Sequence, residues 1–103
     1  MRTPQEVERG LSAPVTLGLE SRVEIRKAAI GLLEGMPEGS GRLIIDLGRT
    51  RYVDSAGLGA LMLIQRKAAE RRLSVRLRGA NEELRFLLVL TKLDDLFELE
   101  SAL

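Results

Sequence analysis

A single serine stands between an acidic residue and two glycines in the segment Val53–Gly59, which reads VDSAGLG. The segment follows Leu43–Leu47, an apolar run typical of a buried strand, and it precedes an apolar pattern with helical spacing. Ser55 is therefore predicted to lie in a strand-to-helix loop, at or near a helix N-terminus. Backbone N–H groups lack partners there, and negative charge is stabilised. A serine in this position can cap the helix or accept a phosphate group.

The segment allows a structural and a functional interpretation. In the structural one, Asp54 or Ser55 caps the following helix, and Gly57 and Gly59 are small because the helix start packs close to the sheet. The pattern alone is not specific enough to exclude this. In the functional one, a protein kinase modifies an exposed Ser55, and the phosphate adds about −1.5 to −2 charges to a small surface. A partner docked on that surface would dissociate, and the glycines would let its backbone approach closely.

Composition restricts the chemistry available to the chain. The 103 residues include no Cys and no His, which excludes thiol nucleophiles, disulfides, Ser–His catalysis and His-ligated zinc. The chain also lacks the glycine-rich loops that bind nucleotides and the G-x-S-x-G motif of a nucleophile elbow. We therefore expect no catalytic activity, no cofactor and no metal site.

Charge and hydropathy argue against two further kinds of partner. The net charge is +1 and aromatic residues make up 3% of the chain, so neither electrostatic attraction nor base stacking favours nucleic acid. The longest apolar stretch is far too short to span a membrane, and residues 1–10 lack the apolar region of a signal peptide. These features predict a cytoplasmic protein.

Hydrophobic periodicity predicts alternating strands and helices in one domain. Residues 1–12 are expected to be loose, or at best an edge strand, and residues 13–103 to form the folded domain. The predicted strands are residues 15–19, 43–47, 73–77 and 96–99, and the predicted helices are residues 20–34, 56–71 and 82–90. Glu20 or Ser21 is the expected cap of the first helix and Asn81 that of the third. This order predicts an α/β fold with a mostly parallel sheet.

The segment Val53–Gly59, placed after an apolar strand that ends in Asp-Leu, resembles the STAS domain of bacterial anti-sigma factor antagonists. The family pattern is apolar-Asp-Ser-[Ser/Thr/Ala]-Gly-[Leu/Ile]-Gly, and the resemblance extends to Ala68–Leu77 and Asn81–Leu99. It implies a single STAS domain with a mixed, mostly parallel sheet of four to five strands flanked by helices. The family's Gly-x-Leu-Asp turn corresponds to Leu17–Glu20 and is altered here. The family's first strand is either missing or formed by the residues before position 13.

The resemblance also implies a function. Members bind a cytosolic anti-sigma factor that is also a serine kinase, and the unphosphorylated form captures this partner and frees a sigma factor. The kinase phosphorylates the serine, which breaks the complex, and a phosphatase resets it. Carried over to this chain, the phosphorylated residue is Ser55, and the partner-binding residues are Asp54, Ser55, Ala56, Gly57, Leu58 and Gly59. We expect a monomer or weak homodimer that neither binds nucleic acid nor inserts into a membrane.

Two alternatives stay open. Similar stand-alone STAS domains are subunits of lipid-transport ATPase complexes, in which they contact the ATPase and the serine is structural. A small hydrolase or nucleotide-binding enzyme is the other alternative, and the missing His, Cys and phosphate loop disfavour it.

Other polar clusters have simpler explanations than chemistry. A mostly basic cluster around the end of the second helix is interpreted as a solvated face rather than a contact for an acidic partner; it comprises Lys67, Glu70, Arg71, Arg72, Arg76 and Arg78. The acidic residues Glu82, Glu83, Asp94 and Asp95 are interpreted as capping and surface residues rather than as an acid–base pair or Mg²⁺ ligands. Tyr52 is predicted to close the sheet edge, and Met62 to lie in the core.

Overall fold

The fold is an α/β arrangement, seen in a computed structural model that describes residues 7–100. In chain order its elements are β1 (Val7–Ser12), β2 (Thr16–Leu17), α1 (Arg22–Glu34), β3 (Gly41–Asp46), β4 (Tyr52–Val53), α2 (Ser55–Glu70), β5 (Ser74–Arg78), α3 (Glu82–Leu90) and β6 (Glu98–Glu100). The alternation predicted from the sequence is confirmed, and α2 begins at Ser55, one residue before the predicted start at residue 56.

Two sheets form within the described residues. The larger has four strands in the order β1-β3-β5-β6, and every pairing in it is parallel. The smaller joins β2 and β4, also in parallel. Parallel neighbours need crossover connections, and α1, α2 and α3 provide them. The prediction of an α/β fold with a mostly parallel sheet is therefore confirmed.

Aliphatic side chains of α1 and α2 cover one face of the larger sheet. The principal fully buried residues are Ala29 and Leu33 on α1, Leu61, Ile64 and Ala68 on α2, and Leu43, Ile45, Val75 and Leu77 on the central strands. The opposite face carries charge pairs instead, in which Arg42 contacts Glu98 at 2.8 Å and Arg76 contacts Glu98 at 3.0 Å. The buried side chains of α2 lie on the side that packs on the sheet, so the opposite side of this helix faces solvent.

Of the two expectations for the N-terminal residues, a loose segment or an edge strand, the structure shows the edge strand. Val7–Ser12 forms β1, which pairs with β3 at the edge of the larger sheet. Only Val7 and Leu11 of this strand pack against the core, and the polar residues between them are exposed, which is why its apolar pattern is weak. The family's first strand is thus formed by residues before position 13. Residues 1–6 and 101–103, which the predicted segments also included, lie outside the described residues.

Several local predictions need correction. The strand predicted over residues 15–19 is reduced to Thr16–Leu17, and β4 is a short strand that was not predicted. Met62 is 38% exposed rather than in the core, because it lies on the side of α2 that faces away from the sheet. The Tyr52 side chain is 66% exposed, so most of its ring faces solvent rather than packing on the sheet. Elements of two residues are too short to show a hydrophobic period.

Candidate functional site

Asp54 is the residue that caps α2. Its backbone is extended, and its Oδ1 accepts a hydrogen bond from the backbone N–H of Gly57 at 2.9 Å. This geometry satisfies one of the N–H groups left unpaired at a helix N-terminus. Of the two caps that the sequence allowed, the structure assigns the role to Asp54, and Ser55 becomes the first residue of the helix.

Ser55 is exposed at the start of α2. Within residues 7–100, its hydroxyl has no hydrogen-bond partner. No hydrogen bond among those residues would therefore be lost if the Ser55 hydroxyl were removed. Its position at the positive end of the helix dipole is one where an added phosphate is electrostatically tolerated.

The second carboxylate oxygen of Asp54 contacts a different part of the chain. The backbone N–H of Leu19 donates to Oδ2 at 3.1 Å, so a single side chain joins the start of α2 to the turn that follows β2. Gly18 makes this approach possible, since a Cβ there would lie 2.8 Å from the Asp54 Cγ. Sequence reasoning missed the role of Gly18, because its partner is distant in the chain.

The Ser21 hydroxyl stabilises the same turn through two hydrogen bonds. Its hydroxyl accepts from the Gly18 N–H at 3.0 Å and donates to the Thr16 carbonyl at 2.9 Å. Ser21 occupies the N-cap position of α1, as predicted, but its side chain makes no capping hydrogen bond to the helix. The hydroxyl instead fixes the turn that Asp54 contacts.

Two backbone hydrogen bonds make Asp54 more acidic than an ordinary aspartate. The N–H of Gly57, followed by that of Leu19, lowers its pKa below the usual value of 3.8, against the opposing effect of desolvation. The charge of Arg22 adds a smaller effect in the same direction. Asp54 is therefore a carboxylate at neutral pH, directly beside the Ser55 backbone.

The two glycines of the segment have different surroundings. Gly57 is buried, and a Cβ on it would come within 2.7 Å of the Leu17 carbonyl carbon. It is small because the helix start packs directly on β2, as the structural interpretation predicted. Gly59 is exposed, and a Cβ on it would meet nothing within 4 Å. Packing within residues 7–100 gives no reason for a glycine there, although glycine costs about 1 kcal/mol in a helix relative to alanine.

The exposed residues at this end of the molecule form one continuous surface. Ser55, Gly59 and Met62 follow helical spacing along the outer side of α2, and Leu19 adjoins them through its hydrogen bond to Asp54. We call these four residues the Ser55 surface. Leu19 is 64% exposed and Met62 is 38% exposed. The surface therefore combines the Ser55 hydroxyl and the backbone at Gly59 with the apolar side chains of Leu19 and Met62. Of the other predicted binding residues, Ala56 and Leu58 are half-buried.

The basic cluster around the end of α2 consists largely of paired residues. Lys67 contacts Glu70 at 3.7 Å, and Arg78 contacts Glu100 at 2.9 Å. Arg71 donates to the Met36 carbonyl at 2.7 Å. These contacts agree with the interpretation as a solvated face and leave little charge for an acidic partner.

Among residues 7–100, no group of three or more acidic side chains has a geometry that would hold a metal ion. Across the same residues, none of the helices has the length and apolar character required to cross a bilayer.

Comparisons with solved structures place this fold among known domains. A candidate anti-sigma factor antagonist from Thermotoga maritima matches with a TM-score of 0.75 and 21% identity, over 94% of this chain and 83% of the other. The unphosphorylated form of the anti-sigma factor antagonist SpoIIAA matches with a TM-score of 0.65 and 16% identity, over 100% and 86%. A sulfate transporter family protein from Wolinella succinogenes matches with a TM-score of 0.68 and 17% identity, over 85% and 69%. At these identities the likeness establishes the fold.

Sequence comparison establishes the family. The comparison with curated proteins gave no significant match. The family model described as "Mlab, STAS domain" matches residues 11–99, which includes the capped start of α2 and the larger sheet apart from most of β1 and the last residue of β6. The chain therefore belongs to the STAS domain family.

Proposed function

We propose that this STAS domain is an anti-sigma factor antagonist whose binding state is set by phosphorylation of Ser55. The unphosphorylated protein binds a cytoplasmic anti-sigma factor with serine kinase activity and so regulates transcription. Phosphorylation of Ser55 by that partner releases the complex, and a serine phosphatase restores the binding form. In this role the protein is a substrate and a binding module, not an enzyme.

The observation that carries the proposal is the exposed Ser55 hydroxyl at the start of α2. Because Asp54 supplies the cap, Ser55 is left available to an incoming kinase. The exposed backbone at Gly59 adds a place where a partner can approach closely. Two structural relatives described as anti-sigma factor antagonists, one of them named by its unphosphorylated form, favour the same reading.

Release follows from charge and volume. A phosphate on Ser55 would place about −1.5 to −2 charges beside the ionised Asp54 carboxylate. It would also project from the centre of the Ser55 surface, between the exposed Leu19 and the outer side of α2. A partner surface that fits the neutral hydroxyl would then face like-charge repulsion and steric overlap, while the capped helix keeps its fold.

The test measures partner binding by variants with a neutral and an acidic residue at position 55. The partner is the kinase-type anti-sigma factor encoded in the source organism, titrated by calorimetry. Ser55→Ala should bind it with unchanged or higher affinity and should take up no phosphate from ATP. Ser55→Asp should lose about tenfold or more in affinity, which corresponds to about 1.4 kcal/mol.

Ser12 offers a matched control for added charge. It is an exposed serine at the end of β1, outside the Ser55 surface. Ser12→Asp should bind the partner as the unmodified protein does. Equal affinities for Ser55→Ala and Ser55→Asp would refute the switch, as would phosphate incorporation that persists in Ser55→Ala.

A second candidate is a STAS subunit that contacts the ATPase of a lipid-transport complex. The description of the matching family model, and the structural relative from a sulfate transporter family protein, favour it. This role requires binding to an ATPase without phosphate transfer to Ser55. Mass measurement of the protein purified from its native cells, with peptide mapping of residues 53–66, separates the candidates: a phosphate on Ser55 supports the first, and a stable ATPase complex with unmodified Ser55 supports the second.

A further inference from the structure

A groove lies between β4 and α3, next to the capped start of α2. Its volume is about 230 Å³, and its lining includes Tyr52, Val53, Asp54, Asn81, Glu83 and Leu87. We call it the β4–α3 groove. Sites for small molecules usually measure roughly 300–1,000 Å³, so a groove of this size better fits one side chain with its adjoining backbone.

The Val53 backbone leaves one edge of β4 open toward this groove. The N–H groups of Tyr52 and Asp54 donate to the Val15 and Leu17 carbonyls, each at 3.2 Å, on the side of β2. Successive residues of a strand direct their N–H groups to opposite sides, so the Val53 N–H points away from β2. In the described part of the chain it has no hydrogen-bond partner. An extended segment of another protein can pair with such an edge.

The two sides of the groove are held together by the Asn81 side chain. Its Oδ1 accepts from the Leu84 N–H at 2.8 Å, and its Nδ2 donates to the Thr50 carbonyl at 3.4 Å, so the start of α3 is joined to the segment before β4. The walls are apolar, with the half-buried Leu87 on α3 and the largely exposed Tyr52 ring on β4. The groove is therefore formed before any partner binds.

The charges of the groove favour a basic occupant. Asp54 and Glu83 line it with one cation, Arg51, and Glu82 lies beside it in a depression that shares Arg51 and Glu83. Across the described residues, neither Glu83 nor Arg51 takes part in an ion pair. The chain as a whole has a net charge of +1, so this excess of carboxylates is local. A lysine or arginine on the occupant would complement it.

We propose that an extended segment of the anti-sigma factor binds in the β4–α3 groove as a strand added to β4, with a lysine or arginine side chain near Asp54 and Glu83. This inference rests on the proposed function and adds a second contact to it. Asp54 connects the two contacts, because it lines the groove, immediately precedes Ser55 and bonds the Leu19 N–H of the Ser55 surface.

The kinase activity of the partner gives a further reason for a cation at this place. To phosphorylate Ser55, the partner must bring the anionic phosphates of ATP close to the Asp54 carboxylate. A basic side chain beside Asp54 offsets the repulsion between them. Once the phosphate is on Ser55, it faces the remaining phosphates of the nucleotide, and the complex is released.

The first experiment measures binding of the full chain to the anti-sigma factor by calorimetry. Glu83→Lys should lower the affinity about tenfold or more, and Glu83→Gln should lower it less. Glu83 is exposed and makes no hydrogen bond or ion pair in the described part of the chain, so both variants should keep the circular dichroism spectrum of wild type.

Glu38→Lys is the matched control, because it changes the net charge by the same amount. Glu38 is exposed in the loop after α1, a helix of 13 residues that begins beside the turn contacted by Asp54 and is about 20 Å long. This variant should bind as wild type does.

Amide hydrogen exchange, followed by NMR, tests the added strand directly. The Val53 amide should exchange rapidly in the free chain and at least tenfold more slowly in the complex. The Asp54 amide, which already donates to Leu17, serves as the internal control and should be protected in both states.

The outcomes separate this inference from the proposed function. If Ser55→Asp weakens the complex while Glu83→Lys and the Val53 exchange rate have no effect or change, the groove contact is overturned and the switch at Ser55 stands. A wild-type chain that does not bind the anti-sigma factor overturns both. Protection of Val53 that grows with the concentration of the chain alone would assign the groove to a second copy and also overturns the proposal.

Discussion

The contrast between Gly57 and Gly59 gives a quantitative test of the site. Alanine is the smallest change that adds a Cβ to either position. At Gly59 the added methyl meets open space, so the substitution should only raise helix propensity and stabilise the fold by about 1 kcal/mol. At Gly57 the Cβ would collide with the Leu17 carbonyl group, and displacing a strand backbone should cost on the order of 3 kcal/mol.

These free energies translate into opposite shifts in melting temperature. For a domain of this size, 1 kcal/mol corresponds to about 4–8 °C. Gly59→Ala should therefore melt roughly 4–8 °C higher than wild type. Gly57→Ala, after the gain in propensity is subtracted, should melt roughly 8–16 °C lower. Thermal denaturation followed by circular dichroism, checked by urea midpoints, measures both.

Gly31 provides a matched control for the helix effect. It lies within α1, it is exposed, and a Cβ there also meets nothing within 4 Å. Gly31→Ala should stabilise the fold as Gly59→Ala does, but only Gly59→Ala should weaken binding of the proposed partner, by about fivefold or more. A destabilised Gly59→Ala, or a Gly57→Ala that melts with wild type, would refute the packing described for α2. Equal partner affinity for the Gly31 and Gly59 variants would refute close approach at Gly59.

Two further predictions concern the helix caps. The pKa of Asp54 is lower in the folded protein than its ordinary value of 3.8, so the charged carboxylate stabilises the fold above that pH, and this contribution is lost as the pH falls through the depressed folded value. Asp54→Asn should remove that part of the acid dependence below the ordinary pKa of 3.8 in urea titrations, and an unchanged dependence would contradict the two hydrogen bonds. Asn81→Ala should cost about 0.5–2 kcal/mol through loss of the bond to the Leu84 N–H, measured by the same titration at neutral pH. A cost near zero would show that α3 does not depend on this cap.

The sequence was most informative where periodicity and capping residues agree. Asn81, followed by acids and inward leucines, predicted α3 with the bounds that the structure shows, and the apolar run over Leu43–Leu47 predicted the central strand. It was least informative for β1, because an edge strand with exposed Glu8, Arg9 and Gly10 needs few apolar residues. The partners that define such a strand lie in β3, far along the chain.

The candidate site also has some features that local sequence patterns predict and others that depend on residues far apart in the chain. The position of Ser55 at a helix start followed from local patterns. The capping bond of Asp54 to the Gly57 N–H is also local, but its second bond, to the Leu19 N–H, joins residues 35 positions apart. The small size of Gly18 has the same long-range origin. In a single sequence, such a contact leaves no local pattern, only a glycine or an acidic residue whose role cannot be assigned.

Both carboxylate oxygens of Asp54 accept hydrogen bonds from backbone N–H groups, and this limits what Asp54 can do for the neighbouring Ser55 hydroxyl. A hydroxyl becomes a good nucleophile when a nearby group accepts its proton, and a carboxylate of lowered pKa with both oxygens already bonded to N–H groups accepts protons poorly. Asp54 therefore does not activate Ser55, and the described part of the chain places no other base against that hydroxyl. Any phosphoryl transfer to Ser55 must use a base brought by the kinase. Spontaneous transfer of phosphate to Ser55 from a phosphate donor should therefore be negligible. The fraction of the protein that carries a phosphate would then depend on the enzyme that acts on it.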